Sequence, residues 1–251
     1  MNTKFLKWAL PAFALTVAGS QSVEAKIPGK TSYGARLGFQ NMSLNGKGIA
    51  GGTGGVGVFT RPIHTMGSNY GGASGDLFLS HDVAFRDDLC FGVEGYVGGS
   101  NTDTGRITHE FGAANRHSIS HTTVKKDYTF GGRLKLGHYL KNDVLLYASL
   151  GVENTRFKID HAYASGVNTN ATGGAIADGS TSSHSLWAWV PGVGVKWNIR
   201  KNWCCQLEAT YAMYDSLSRE VSGSRQIGTY NYKLNIRPSV LGLTVGFSRP
   251  F

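Results

Sequence analysis

The strongest constraint on this chain is an alternation of period two. Eight segments set apolar residues at every second position against small or polar ones, the mark of strands with one face in an apolar medium and the other in a polar one. In the first, Tyr33, Ala35, Leu37 and Phe39 oppose Gly34, Arg36, Gly38 and Gln40. Leu77, Leu79, Val83 and Phe85 stand against Ser80, Asp82 and Ala84; Phe91, Val93 and Val97 against Gly92, Glu94 and Gly98. The fourth sets Tyr128, Phe130, Leu134 and Leu136 against Thr129, Gly131, Arg133, Lys135 and Gly137, and the fifth Val144, Leu146, Ala148, Leu150 and Val152 against Tyr147, Ser149, Gly151 and Glu153. The same pattern runs through Trp187–Asn198, Cys205–Tyr214 and Leu241–Phe251. A helix would repeat every 3.6 residues instead.

The connections between these segments fall into two classes in strict alternation. Arg86 to Leu89, Leu140 to Asp143 and Arg200 to Trp203 are tight turns, whereas roughly 44–75, 100–123, 160–184 and 215–229 are long, polar and rich in Gly, Ser, Thr and Asn. Short turns, long loops and an even strand count predict an all-β chain: an eight-stranded antiparallel up-and-down transmembrane β-barrel, with both termini on the short-turn side. Beyond the first 25 residues no apolar run approaches the ~18 that a membrane helix needs. The 35 glycines, 6 prolines and 16% charged residues suit strands and turns, a soluble domain being about one-quarter charged. Aromatics form two expected girdles, Tyr33, Phe85, Phe91, Trp197 and Phe251 at one rim and Phe39, Tyr128, Trp187, Trp189 and Tyr211 at the other, as amphipathic rings prefer at bilayer interfaces.

Residues 1–25 have their own chemistry: Lys4 and Lys7, an apolar run from Trp8 to Val17, then Val23-Glu24-Ala25. That is a secretory signal peptide, leaving 26–251 as a single barrel domain. Removing Lys4, Lys7 and Glu24 takes the formal net charge from +9 to +8. Of the three cysteines, Cys204 and Cys205 are adjacent and would form only a strained bridge, so all three read as free thiols or small buried apolar groups.

The face opposite the apolar one carries Arg36, Asp82, Glu94, Arg133, Lys135, Glu153, Lys196 and Glu208. Buried charges persist when paired, so a salt-bridge network filling the lumen is expected, with Glu208 and Lys196 on adjacent strands as its most direct pair. Lumen glycines would make room for long side chains, and Gly131 is expected to accept a hydroxyl where Leu134, facing lipid, would not accept a charge. The alternative is a narrow path for ions or small solutes, but eight strands leave space for side chains and little else.

One family resemblance covers nearly all of 26–251. It is carried by Phe130-Gly-Gly-Arg-Leu-Lys-Leu-Gly137, Leu145-Leu-Tyr-Ala-Ser-Leu-Gly-Val-Glu153, Gly192-Val-Gly-Val-Lys-Trp197, Asn202-Trp203 and Leu207-Glu-Ala-Thr-Tyr211. These resemble the outer-membrane-protein β-barrel family of small surface antigens, opacity-type and OmpA-like, often labelled porins. The resemblance implies an outer-membrane location and lumen-facing Arg133, Tyr147 and Glu208. It also implies that Leu243, Val245, Phe247 and Phe251 form the terminal signal read by the outer-membrane assembly machinery. Arg249 departs from that signal, although a long basic side chain can snorkel to the nearby interface.

Other motifs carry less. Gly46-Lys-Gly-Ile-Ala-Gly51 matches a nucleotide-binding string, but no helix follows to meet a phosphate, so it reads as a flexible outer loop. His109, His117 and His121 share a polar loop, the last two at a spacing that would suit a metal on a helix, yet Gly112, Asn115 and Ser118 disfavour that helix. His81 falls on the lipid face and Asp82 on the other, so they form no dyad. No catalytic residue, cofactor or metal is assigned. Basic residues are dispersed without a stripe, which speaks against nucleic acid. The sequence therefore reads as a non-enzymatic surface barrel whose partners are outer-membrane lipid, the assembly machinery and a host or surface ligand met through its loops. N-terminal sequencing of the membrane-extracted protein is expected to begin at Lys26 or within two residues of it; retention of Met1 would overturn the signal-peptide reading.

Overall fold

The computed structural model describes residues 29–54, 57–63, 69–85, 88–104, 107–113, 116–140, 144–167, 178–200, 202–225 and 228–251. The expected signal peptide and its cleavage site lie outside them. Eleven strands follow one another: β1 (Lys30–Gly54), β2 (Gly57–Ile63), β3 (Asn69–Ala84), β4 (Leu89–Ser100), β5 (Ile107–Ala113), β6 (Arg116–Leu140), β7 (Val144–Val167), β8 (Asp178–Arg200), β9 (Trp203–Tyr214), β10 (Leu217–Arg225) and β11 (Gly228–Pro250).

Eight of them close a ring. β1, β3, β4, β6, β7, β8, β9 and β11 pair in that order, and β11 returns to β1. All these pairings are antiparallel. β2, β5 and β10 each fold back on a longer neighbour, β1, β6 and β11 respectively. One end of the ring holds the start of β1, the end of β11 and the points where β3 leads to β4, β6 to β7 and β8 to β9, with Phe251 donating its backbone N–H to the Thr31 carbonyl at 3.0 Å. This is the turn end; the opposite one is the hairpin end.

Period two sorts every side chain in the wall. Leu37 is 74% exposed while its neighbour Arg36 is 2% exposed. The outward set includes Leu77, Leu79, Leu134, Leu150, Val193 and Leu243, all large, apolar and uncovered. A continuous apolar band of this size in water would drive association; around a closed ring with no free edge it is a bilayer-facing wall. This chain is an eight-stranded transmembrane β-barrel. Aromatics stand at both rims of the band: Tyr33, Phe85, Phe91 and Phe251 toward the turn end, Phe39, Tyr128, Trp189 and Tyr211 toward the hairpin end. Tyr33 packs on Phe251 with ring centroids 5.9 Å apart.

The long connections differ from the sequence reading. Much of what read as polar loop is strand: the β1–β11 ladder runs from Ser32↔Pro250 to Gly54↔Gly228, far beyond the 9–11 residues or so that cross a bilayer. The supposed loop motif at Gly46–Gly51 is antiparallel strand, bonded to β11 along its length and to β2 over its second half. These extensions carry their apolar residues, such as Met42 and Phe157, on inward positions amid Gly, Ser, Thr and Asn, which mark turns as readily as solvated strands. They form because a ladder once begun satisfies each further N–H and C=O.

A bulge in β6 changes which residues face inward. The register shifts between Lys126 and Thr129, so Thr129 and Arg133 are buried below it while Lys126, Val124 and Thr122 are buried above it. One extra residue reverses the parity of everything beyond it.

The lumen glycines are close contacts. A Cβ on Gly131 would lie 2.7 Å from the Tyr96 ring and 2.8 Å from the Val152 carbonyl oxygen, so the expected tolerance of a hydroxyl there is corrected: the room is already taken by Tyr96. Gly95, facing out, has open space beyond its Cα. In urea-unfolding of barrels refolded into detergent, Leu134→Arg should lose about 2–4 kcal/mol, the cost of a base near the bilayer midplane. Gly131→Ala should also lose stability. Gly95→Ala should be neutral or gain up to about 1 kcal/mol through the unfolded chain, and a Gly95→Ala loss exceeding that of Leu134→Arg would invert the assignment of faces.

Candidate functional site

Among the described residues, charge gathers out of water in the lumen. At mid-height β1 contributes Arg36, β3 Asp76, β4 Glu94, β6 Arg133 and Lys135, and β9 Glu208. Arg36 donates through Nε to Asp76 at 2.7 Å and through Nη1 to Glu94 at 2.6 Å, with Glu208 at 3.3 Å. Arg133 spans Glu94 and Glu208, each at 2.6 Å. Lys135 bonds the second oxygen of Glu94, and Ser149 donates to Glu208 at 3.2 Å. Three cations thus face three carboxylates, which meets the condition for keeping charge in a low-dielectric interior. Aromatic rings supply the floor and walls: the Arg36 guanidinium lies 4.7 Å from the Phe78 ring centre and Arg133 lies 5.0 Å from Tyr96.

Two smaller groups flank this layer. Toward the turn end, Lys196 donates to Asp82 at 2.8 Å across the lumen. Toward the hairpin end, Glu153 accepts from Tyr96 at 2.8 Å and from the Tyr214 hydroxyl, with Lys126 Nζ at 3.8 Å. Lys126 also donates to Gln40 at 3.1 Å.

Beyond Glu153 the interior changes character. Met42, Leu44, Val124, Phe157, Ile159 and Ile236 lead a buried apolar cluster that also holds Leu186, Leu217 and Val240. Phe157 meets Tyr214 edge-on with centroids 4.9 Å apart. Inward positions of β1 therefore read, from the turn end, Ser32, Arg36, Gln40, Met42 and Leu44, and those of β7 read Tyr147, Ser149, Glu153, Thr155, Phe157 and Ile159.

All eight charges assigned to the lumen from sequence are inward and in ion pairs, but one pairing is corrected. Lys196 stands opposite Gln206 in the β8–β9 register, and Glu208 opposite Gly194; Lys196 reaches Asp82 and Glu208 takes Arg36 and Arg133 instead. Asp76 was missed because Gly71-Gly-Ala-Ser-Gly75 resembles a loop, although parity with Asp82 marks it as inward. Lys126 was missed because no sequence signal places the bulge. Tyr96 shares the parity of Glu94 and was legible.

Leu243, Val245, Phe247 and Phe251 all face outward and are uncovered. His117 and His121 lie on a strand, where a separation of four residues spans about 13 Å, too far for one ion. Among the described residues no group of three or more His, Cys, Asp or Glu side chains could hold a metal. His81 Nδ1 sits 2.9 Å from Thr31 Oγ1, with Asp82 turned to Lys196. The three cysteines are free thiols; Cys204 donates to the Asn198 side-chain oxygen at 3.1 Å.

No family model matches the chain, and no curated protein does. Among solved structures it is similar to Ail, the attachment invasion locus protein of Yersinia pestis, at 12% identity over 87% of this chain and 99% of that one, with a TM-score of 0.33. It is also similar to Neisserial surface protein A, at 13% identity over 85% and 97% with a TM-score of 0.38. The outer membrane protein OprG from Pseudomonas aeruginosa matches at 13% identity over 86% and 95%, with a TM-score of 0.41. What establishes the fold class is the chain's own closed ladder and apolar band.

Glu94 holds three cations, Asp82 one at a partly wetted position. Glu94→Gln should therefore cost about 3–5 kcal/mol, the penalty for stranding buried bases, and Asp82→Asn clearly less. Denaturant midpoints of the two refolded variants measure the order, and equal losses would contradict a mid-lumen layer more deeply buried than the Asp82–Lys196 pair.

Proposed function

We propose that the chain is an integral outer-membrane surface protein with a structural and interaction role, its turn end in the periplasm, its hairpins outside and its lumen sealed. The observation that carries this reading is the buried apolar cluster around Met42, Leu44, Phe157, Ile159 and Ile236, stacked on a charge-neutral layer. An ion moving along the axis would have to break paired guanidinium–carboxylate contacts and then enter an apolar constriction that sheds water. A closed wall with no free edge leaves the extended hairpins as the surface available to another molecule.

The outer-membrane assignment rests on the band and the closed antiparallel ring, the strand solution to crossing a bilayer. Its partners on this reading are outer-membrane lipid along the band and the assembly machinery at Leu243, Val245, Phe247 and Phe251. A host or surface ligand meets the hairpins. A structural and interaction role of this kind calls for no catalytic residue. The barrel purified in detergent and placed in a planar bilayer should show little or no steady current, and replacing β5 together with the Arg116–Thr122 stretch of β6 that pairs with it should not change that. Large, stable single-channel currents from the unmodified protein would sink the sealed reading in favour of a small pore with Arg133, Lys135 and Lys196 on its path.

A further inference from the structure

Five buried polar atoms find no hydrogen-bond partner among the described residues: Arg36 Nη2, Tyr147 OH, Gln206 Nε2 and Oε1, and Ser248 Oγ. Each belongs to a side chain at least nine-tenths buried. They are not scattered. Gln206, Tyr147 and Ser248 are each one inward step nearer the turn end than Glu208, Ser149 and Gly246, and a Cβ on Gly246 would touch both Arg36 Cγ at 2.6 Å and Gln206 Cγ at 2.8 Å. Gln206 stands opposite Gly246 on one side and Lys196 on the other, and Tyr147 opposite Gly194, itself opposite Glu208. By register Tyr147 is level with Glu208 and Gln206 with Lys196, so the group spans the interval from the mid-lumen charge layer to the Asp82–Lys196 pair.

Isolated buried polar groups cost free energy that native interiors rarely carry, and four such side chains on the turn side of the lumen need an explanation. The chemistry of that interval selects the ligand. Arg36, Arg133 and Lys135 at one end of it are matched by Asp76, Glu94 and Glu208, and at the other end Lys196 is matched by Asp82. A bound ion of either sign would be an uncompensated charge. The unpartnered atoms comprise a guanidinium and an amide donor, an amide acceptor and two hydroxyls able to act either way, the mixture that a neutral donor-acceptor serves. Among the described residues no unpartnered buried side-chain atom lies at the hairpin end, where Met42, Leu44, Phe157, Ile159 and Ile236 fill the interior and the buried Thr122 hydroxyl meets His161 Nδ1 at 3.0 Å.

We propose that the turn half of the lumen holds a cluster of ordered water molecules, bound by Arg36, Tyr147, Gln206 and Ser248 and exchanging with the periplasmic side past the partly exposed Asp82–Lys196 pair. The barrel is then wet from one end only, its interior divided between a hydrated chamber and a dry outer cap. This goes beyond the sealed reading, which concerns passage through the whole lumen and which a planar-bilayer current tests separately.

The sign of one substitution distinguishes hydrated from dry. If Tyr147 OH bonds water, Tyr147→Phe removes a satisfied group and should lower the urea midpoint of the refolded barrel; if the hydroxyl is dry and unsatisfied, its removal should raise the midpoint, which would overturn the proposal. A second measurement uses the unmodified full barrel in micelles. The side-chain amide protons of Gln206 should show cross-relaxation with water by NMR, whereas the methyl protons of Ile159 and Ile236 should show none. Silence at Gln206 would overturn the chamber, and water signals at Ile159 and Ile236 would overturn its one-sidedness.

Discussion

Closure of β11 onto β1 is the contact on which everything else rests. In hydrocarbon no water can satisfy an unpaired backbone N–H or C=O, so a strand wall survives only if every edge is paired. The β1–β11 ladder supplies that pairing and continues far past the band. Once the ring is closed at eight strands, its interior is about wide enough for side chains to fill, and the inward residues must do so without stranding charge.

The interior meets that demand in graded fashion. Ladder geometry sends six charged side chains to one level, and their mutual neutrality replaces the hydration they lose. Long side chains need space, which glycine supplies: Tyr147 occupies the place of a Cβ at Gly194, as Tyr96 does at Gly131. Nearer the hairpin end, where Met42, Leu44, Phe157 and Ile159 point inward, the filling resembles the core of a soluble sandwich. Apolar side chains there lie inside a wall whose outward residues, such as Asn45 and Lys158, are polar and exposed. The barrel thus has lipid-facing apolar residues over one stretch of its height and core-facing ones over another, and the sense of its amphipathicity reverses along the strand.

That reversal explains how much was legible. Within the band the alternation is unambiguous, because one face meets hydrocarbon and the other a polar lumen. Eight strands, three tight turns and the inward position of Arg36, Glu94, Arg133 and Glu208 all follow from it. Above the band the cue fades: β2, β5, β10 and the ends of β1, β6 and β7 read as loop, since Gly, Ser, Thr and Asn mark turns as readily as solvated strands. Asp76 was hidden by its glycine-rich approach, and Lys126 by a bulge that leaves no trace in composition.

What the sequence determines by itself is the parity of each band strand, and through it the fold class, because a period of two is a local property that each strand carries alone. Only the tertiary structure decides which inward charges meet. Glu208 passes over Lys196 on the neighbouring strand for Arg36 and Arg133, and Lys196 crosses the bore to Asp82. Those choices depend on stagger around the ring, on the β6 bulge and on the reach of long side chains across a closed space, none of which exists until the last strand has paired with the first.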